Sequence, residues 1–167
     1  MAGFDLNGLK DKLQSVLQTA NTTTASTDLS DGLDARVRFI SKKNPDMVFT
    51  QATHHPSIHI YPDNKDITSV DIVKDQTSAR RGGVYNMNIM GIYQDFNTEN
   101  NDEDKAMKNL IAMMENVEQI YREDPTLGGT TGVRYQQPTG VQYGLAGYDE
   151  EAYFRVGVLS LQVKIFY

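Results

Sequence analysis

The chain has 167 residues and a net charge of −6, with 39% apolar and 23% charged residues. This length and composition indicate one globular domain with a single core. The negative charge excludes a protein whose main work is to hold nucleic acid by its phosphates, since that needs a basic surface. The absence of cysteine excludes disulfides and thiolate metal sites.

The first thirty-one residues predict one helix followed by a polar loop. Apolar residues recur at helical spacing over residues 4–19, at Phe4, Leu6, Leu9, Leu13, Val16 and Leu17. Residues 20–31 are rich in Thr, Ser, Asn and Asp, whose side chains compete for backbone hydrogen bonds, so we expect a loop. The start lacks the basic and apolar regions of a signal peptide, and no apolar run approaches the ~20 residues that span a bilayer. We therefore expect neither export nor a membrane partner.

Three strands are predicted next, over residues 36–40, 57–61 and 84–96, because apolar and polar residues alternate there. In the third of them, Tyr85, Met87, Ile89 and Tyr93 share a face. Residues 62–83 are polar and end in Arg80 and Arg81. We interpret this segment as a long excursion, shaped as a projecting hairpin, because long structureless loops are uncommon in compact domains.

The best-patterned helix follows the polar linker at residues 97–104. Asn100 and Glu103 have the spacing of a capping box. The apolar stripe of the helix consists of Met107, Leu110, Ile111, Met114, Val117 and Tyr121. The helix must end by Asp124, because a residue before proline is excluded from the helical region. Gly128 and Gly129 can then turn the chain.

The rest of the chain predicts an excursion and a terminal strand. Residues 128–150 are rich in Gly, Gln and Tyr, and we interpret them as a second excursion with a hairpin around Pro138–Gly140. Apolar and polar residues alternate over residues 152–167. The apolar residues occupy even-numbered positions up to Val158 and odd-numbered positions from Leu159, and this change lies beside Gly157. A strand with a period of two changes phase only through an extra residue, so we predict a β-bulge there.

The order of these elements predicts an α+β fold in a single domain, residues 1–167. We expect an antiparallel or mixed sheet of about four main strands, two helices packed on one face of it, and long hairpin-like loops.

All three histidines of the chain lie close together, at His54, His55 and His59. One hypothesis is a small metal- or ligand-binding α+β enzyme that uses this strand. However, His55 and His59 would lie about 13 Å apart along an extended strand, too far to share one ion. We therefore interpret the histidines as solvent-facing strand residues, and we expect no metal and no cofactor.

The acidic clusters and the glycine-rich turn do not predict catalysis. Asp102–Asp104 fit the capping of a helix, and Asp149–Glu151 fit a charged turn. Leu127–Gly132 follows a helix instead of opening one, whereas a phosphate-binding loop leads into a helix start. We expect no catalytic residues and no enzymatic activity.

Residues 84–167 combine a strand ending near Phe96, a polar linker, an amphipathic helix, the stretch Asp124–Gly129 (DPTLGG), a Gly/Tyr-rich excursion and a long terminal strand. In order and character this half of the chain resembles the tail terminator, or tail-completion, proteins of long-tailed bacteriophages. Other neck and head–tail joining proteins share parts of the pattern, so a protein of that kind is the alternative.

The resemblance implies a structural virion protein, assembled in the host cytoplasm, with no catalytic or cofactor-binding residues. Such proteins form rings, usually hexamers, on the end of the tail tube. The implied partners are the tail tube protein and the head connector or neck protein, with the sheath protein as a further candidate. Genomic DNA would pass through the lumen without specific binding.

Within that resemblance, the contacts between subunits or rings would come from the excursions and the terminal strand. A closed ring needs a head-to-tail interface, and the long terminal strand is the first place to expect one. The candidate interface residues are Arg80, Arg81, Thr130, Arg134, Tyr135, Tyr143, Tyr153, Phe154 and Arg155.

Overall fold

A computed structural model describes residues 4–44, 54–66, 82–96, 105–149 and 152–166. The elements follow in the order α1 (Leu6–Ala20), β1 (Phe39–Ser41), β2 (Ser57–Asp66), β3 (Gly82–Phe96), α2 (Lys105–Glu123), β4 (Val133–Asp149) and β5 (Ala152–Phe166). The chain is an α+β protein with a mixed sheet. The predicted capping box at Asn100 and Glu103, and most of the excursion at 62–83, lie outside the described residues.

The described strands form one five-stranded sheet, not the predicted four, in the order β1-β2-β3-β5-β4. β1 pairs with β2 in parallel, and the other neighbours are antiparallel. The additional strand is β4, which occupies the segment interpreted as an excursion. Because β5 is paired with β3 on one side and with β4 on the other, the terminal strand has no free edge to offer another subunit. The edge strand on that side of the sheet is β4.

The core lies against the odd-numbered residues of β3 and β5, and we call this side of the sheet the core face. The predicted shared faces of these two strands are confirmed, since their apolar members are buried in one cluster with residues from α1 and α2. The cluster includes Leu9, Leu13, Leu17, Tyr85, Met87, Ile89, Leu110, Met113, Met114, Val117, Tyr121, Leu159, Leu161, Val163 and Ile165. Each such side chain, fully buried, contributes roughly 1.5 to 3 kcal/mol.

The predicted β-bulge in the terminal strand is wrong. β5 pairs with β3 in unbroken register from Ala152 to Phe166. The apolar phase changes because Phe154, Val156 and Val158, which are even-numbered, lie on the opposite side of the sheet, which we call the outer face. Gly157 meanwhile keeps its place in the row of buried core-face residues.

The irregularities lie in β4 instead. They fall between Val133 and Tyr135, Pro138 and Gly140, and Leu145 and Gly147. The predicted hairpin at Pro138 is therefore wrong, because one continuous strand passes through it with a shift of register. Proline is tolerated there because β4 is an edge strand and one of its sides needs no partner.

The stretch after α2 reverses the chain so that β4 starts beside the end of the helix. The helix ends at Glu123, as the proline predicts. The Asp124 carboxylate accepts a hydrogen bond from the Gly128 amide at 2.7 Å. Leu127, Gly128 and Gly129 all have positive φ, at 50°, 64° and 74°. The Gln136 side chain then donates to the carbonyls of Tyr121 and Asp124. Gln136 thus satisfies carbonyls that a helix C-terminus leaves without partners.

The Thr/Ser-rich segment after α1 is a loop, as predicted, and side chains tie it to α2. Leu29 is completely buried. The Asn116 amide donates to the carbonyls of Leu29 and Asp31 at 3.2 and 2.9 Å. Within the loop, Arg36 binds Asp28 through two guanidinium nitrogens at 2.9 and 2.8 Å, and this contact lowers the pKa of the Asp28 carboxyl.

Glu123, the last residue of α2, fixes the tip of this loop. Its carboxylate accepts hydrogen bonds from Thr27 at 2.7 Å and Ser26 at 3.3 Å, and the Thr27 hydroxyl is the main cause of its lowered pKa. Glu123→Ala is expected to accelerate amide hydrogen exchange over residues 22–27 while leaving global unfolding nearly unchanged, because exposed contacts order a loop more than they stabilise a domain. Glu115→Ala, an exposed change on the same helix, is the control. Equal exchange in both variants would contradict this role.

Tyr121 connects the two helices through one buried hydrogen bond. Its hydroxyl donates to the Leu13 carbonyl at 3.0 Å, and burial raises its pKa well above the usual range, so it stays a neutral donor. Tyr121→Phe is expected to lower the free energy of unfolding by about 1 kcal/mol, the usual loss for one such bond. Urea denaturation measures it. Tyr135→Phe, an exposed tyrosine, serves as the control, and an equal change in both variants would argue against the helix–helix bond.

Candidate interaction surfaces and a buried histidine cluster

His55 and His59 are buried, so their interpretation as solvent-facing residues is wrong. Their exposed fractions are 5% and 4%. Ser57 lies between them in sequence and is completely buried. Its hydroxyl is 3.3 Å from His55 Nδ1 and 3.1 Å from His59 Nε2. One hydroxyl therefore links both imidazoles, and each buried ring has the polar partner that burial requires.

Aromatic rings surround this cluster. The His54 ring stacks on Phe39, with centroids 4.6 Å apart and an interplanar angle of 13°. Phe154 meets the His55 ring edge-on, with centroids 5.4 Å apart. Burial lowers the pKa of His55, and it lowers the pKa of His59 to about 4; the neighbouring histidines add to both effects. Both imidazoles are therefore neutral at pH 7.

The chemistry that this arrangement supports is hydrogen bonding. Within the described ranges, no group of three or more His, Asp, Glu or Cys side chains is placed to hold a metal ion. The Ser57 hydroxyl is completely buried, so a substrate has no access to it as a nucleophile. The Ser57 hydroxyl of β2 thus holds the His55 and His59 rings in one buried cluster, which Phe154 of β5 adjoins.

The candidate interface residues whose side chains the structure describes do not converge on one surface. Arg80 and Arg81 lie outside the described residues, as does the side chain of Tyr153. Phe154 and Arg155 are half-buried near the start of β5. Arg134 and Tyr135 lie beside Lys164, which is ten residues along β5 from Phe154 and hence about 33 Å away.

The start of β4 carries a patch of basic and aromatic side chains. The Arg134 guanidinium carbon lies 5.2 Å from the centroid of the Phe166 ring. The Lys164 ammonium lies 5.8 Å from the centroid of Tyr135, a side chain that is 40% exposed. Thr130 precedes this patch, but its hydroxyl donates to the Leu127 carbonyl at 2.6 Å and so supports the turn.

The middle of β4 has the opposite electrostatic character. Tyr143 is 42% exposed and lies opposite Gly157, close to α2. Partial burial raises the pKa of its phenol, and the carboxylates of Glu115 and Glu118 raise it further. The nearby surface of α2 is therefore acidic, although Glu118 also binds Arg122 at 2.7 Å.

The other edge of the sheet is β1, a surface that the sequence analysis did not single out. Phe39 is 37% exposed there, and Arg38 and Lys43 are exposed on either side of the strand. The Ile40 carbonyl of this strand accepts a hydrogen bond from the Gln14 side chain at 2.7 Å. Lys42 forms an ion pair with Asp11. In the sequence, the positive charge of Lys42 and Lys43 is the one sign of this surface.

In the part of the chain that the structure describes, no helix is long and apolar enough to cross a bilayer. No protein-family model matches this chain, and a search of curated proteins finds no significant match.

Proposed function

We propose that this chain is a structural virion protein that forms a hexameric ring on the end of a bacteriophage tail tube. The ring would end polymerisation of the tube and join the tail to the head connector. The observation that carries the proposal is the sheet with two different edges, one of which, β4, runs for 17 residues and bears the exposed Tyr135 and Tyr143. A subunit with two unlike edges is suited to head-to-tail closure.

The arrangement of the second half of the chain supports the same proposal. A strand precedes an amphipathic helix, the helix ends at Glu123, two residues before Pro125, and two long strands follow. The resemblance to tail terminators implies the strand, the helix and the long terminal strand in this order, with an excursion where β4 lies. In this proposal both helices back one face of the sheet as a rigid scaffold, and the edges and excursions make the contacts. No catalytic step is assigned to the protein.

The proposed partners are other copies of this chain, the tail tube protein and the head connector or neck protein, with the sheath protein as a further candidate. Genomic DNA would pass through the ring without specific binding, consistent with the net charge of −6, which disfavours contact with phosphates. The proposed location is the tail or neck of the virion, after assembly in the host cytoplasm.

Light scattering after size exclusion, with negative-stain imaging, tests the proposal. We expect particles of about six chains with a central hole, in the ring geometry that closed cyclic symmetry produces. A single chain at every concentration tested would overturn the ring. Adding the protein to polymerising tail tube subunits from the same genome separates a terminator from another neck protein: a terminator stops elongation, whereas a connector-side neck protein leaves tube length unchanged.

A further inference from the structure

We propose that the ring closes where the β4 edge of one copy meets the β1 edge of the next copy, and that opposite charges attract the two edges. The contact on the β4 edge surrounds Glu115 and Tyr143. The contact on the β1 edge surrounds Arg38, Phe39 and Lys43. This inference rests on the proposed ring and names the two surfaces that meet in it.

The two edges are placed as a head-to-tail contact requires. β1 and β4 are the outermost strands of the sheet, on opposite sides of it. Four strand spacings separate them, about 19 Å. A contact between two different patches on opposite sides of a subunit leaves one free patch at each end of the growing assembly, and such contacts form a ring when the rotation between neighbouring copies closes.

The charges on the two edges are complementary. Arg38 and Lys43 are exposed at the β1 edge, and within the described ranges neither has an ion-pair partner. Glu115 is exposed near the β4 edge and is likewise without an ion pair in the described part of the chain. Copies that each carry a charge of −6 repel one another at long range, so local attraction between a basic edge and an acidic edge would select this orientation.

Each edge also carries exposed apolar surface. Four large apolar side chains are exposed among the described residues, and three of them, Phe39, Tyr135 and Tyr143, lie in or at the two edge strands. Phe39, 37% exposed, lies at the β1 edge; Tyr143, 42% exposed, lies at the β4 edge. Ile111, 37% exposed, lies one helical turn before Glu115. Aromatic side chains surrounded by charges are typical of the centre and rim of a protein–protein interface.

Side chains, and not an extended sheet, would make this contact. β1 has only three residues, and its Ile40 carbonyl is already bonded to Gln14. β4 contains Pro138, which has no amide to donate, and three shifts of register. Short strands, proline and irregularities are the features by which edge strands avoid pairing with other chains.

Reversing charge on each edge tests the inference. Two variants reverse the charge of one edge each: one carries Glu115→Lys, and the other carries Arg38→Glu together with Lys43→Glu. In each variant we expect the concentration at which half the protein is assembled to rise by about tenfold or more. All three changes together are expected to return it to within about threefold of the original value, because the attraction is restored with reversed sign. Asp31→Lys is the matched control, since it makes the same charge change in the loop that packs on the other flank of α2, and it should leave assembly unchanged.

The outcomes separate this inference from the proposed function. Rings that form normally in both edge variants, or a combined variant that stays dissociated, would overturn the edge contact and leave the ring intact. An original protein that never assembles would overturn the ring itself.

A second measurement does not depend on charge. Because the chain has no cysteine, a variant with both Phe39→Cys and Tyr143→Cys should give cross-linked ladders with a short bismaleimide, and each single variant should not. Absence of ladders from assembled rings would contradict the inference.

Discussion

Replacing Gly157 by alanine is expected to lower the free energy of unfolding by roughly 1 to 3 kcal/mol, the usual cost of overpacking a core. Gly157 lies in β5 on the core face, where α2 packs against the sheet. A Cβ atom added there would lie 2.9 Å from Met114 Cγ and 3.3 Å from the Tyr143 ring. Cγ is close to the helix backbone, so Met114 can move away only if its rotamer or α2 itself shifts.

Gly91 in β3 pairs directly with Gly157, and its replacement provides an internal comparison. A Cβ at Gly91 would lie 2.6 Å from the Met113 Cε and the Met114 Sδ atoms. These atoms are the outer parts of flexible side chains, which fill gaps and readjust easily. We therefore expect Gly91→Ala to destabilise less than Gly157→Ala. The double variant should fall short of the sum, because both changes displace Met114.

Gly140→Ala and Gly144→Ala are the matched controls for these variants. Both glycines lie in β4 with nothing within 4 Å of an added Cβ atom. Alanine at either position lowers the conformational entropy of the unfolded chain and clashes with nothing in the folded chain. We therefore expect the free energy of unfolding to rise, by no more than about 1 kcal/mol. Urea denaturation measures all four. If Gly157→Ala were as stable as the controls, α2 would not approach β5 as closely as described.

The hydrophobic pattern of the sequence was sufficient to predict the type and the buried face of β3, α2 and the second half of β5. The alternation in β3 and in the second half of β5 predicted the buried residues of those strands correctly. The helical stripe predicted for α2 is confirmed at Leu110, Met114, Val117 and Tyr121, whereas Ile111 is exposed and was predicted wrongly. The end of α2 was also predictable, because Pro125 excludes the preceding residue from a helix. In each case one local rule determines the outcome, and the tertiary fold agrees with it.

β4 could not be recognised in the same way. It is an edge strand rich in glycine with three shifts of register, so its alternation is interrupted. What places it in the sheet is its pairing with β5 and the capping of α2 by Gln136. Both depend on residues distant in sequence or on a turn geometry that the pattern does not specify. A glutamine in a polar segment gives no sign that it will be buried.

The histidine cluster was not predicted because all the apolar surface was expected on one side of the sheet. Phe154, Val156 and Val158 were recognised as a second apolar phase, but a bulge was used to explain it. In the folded chain these residues occupy the outer face, where Phe154 meets the His55 ring. The second phase was therefore the available signal that the outer face is also partly buried.

Acidification from pH 6.5 to pH 4 is expected to lower the free energy of unfolding by on the order of 3 kcal/mol through His59 alone, since each pKa unit corresponds to ~1.4 kcal/mol. Burial lowers the pKa of His59 from 6.5 to about 4. Between these values the unfolded chain binds a proton that the folded chain does not, so stability rises with pH across this range. The contribution is complete above pH 6.5, and it is lost as the pH falls. His55, whose pKa burial also lowers, acts in the same direction.

Urea denaturation at several pH values between 4 and 7 measures this slope, and His59→Asn identifies its source. The variant is expected to be less stable at pH 7, where it loses the contact with Ser57, but its stability should depend much less on pH. His54→Asn, which changes the half-buried ring stacked on Phe39, should keep most of the slope. The carboxyls of Asp28 and Glu123 have lowered pKa values, so their contributions to stability begin to be lost only below about pH 5, and the slope between pH 5 and pH 6.5 is therefore assigned to the histidines. A slope that survives in His59→Asn would mean that His59 is not held neutral in the fold.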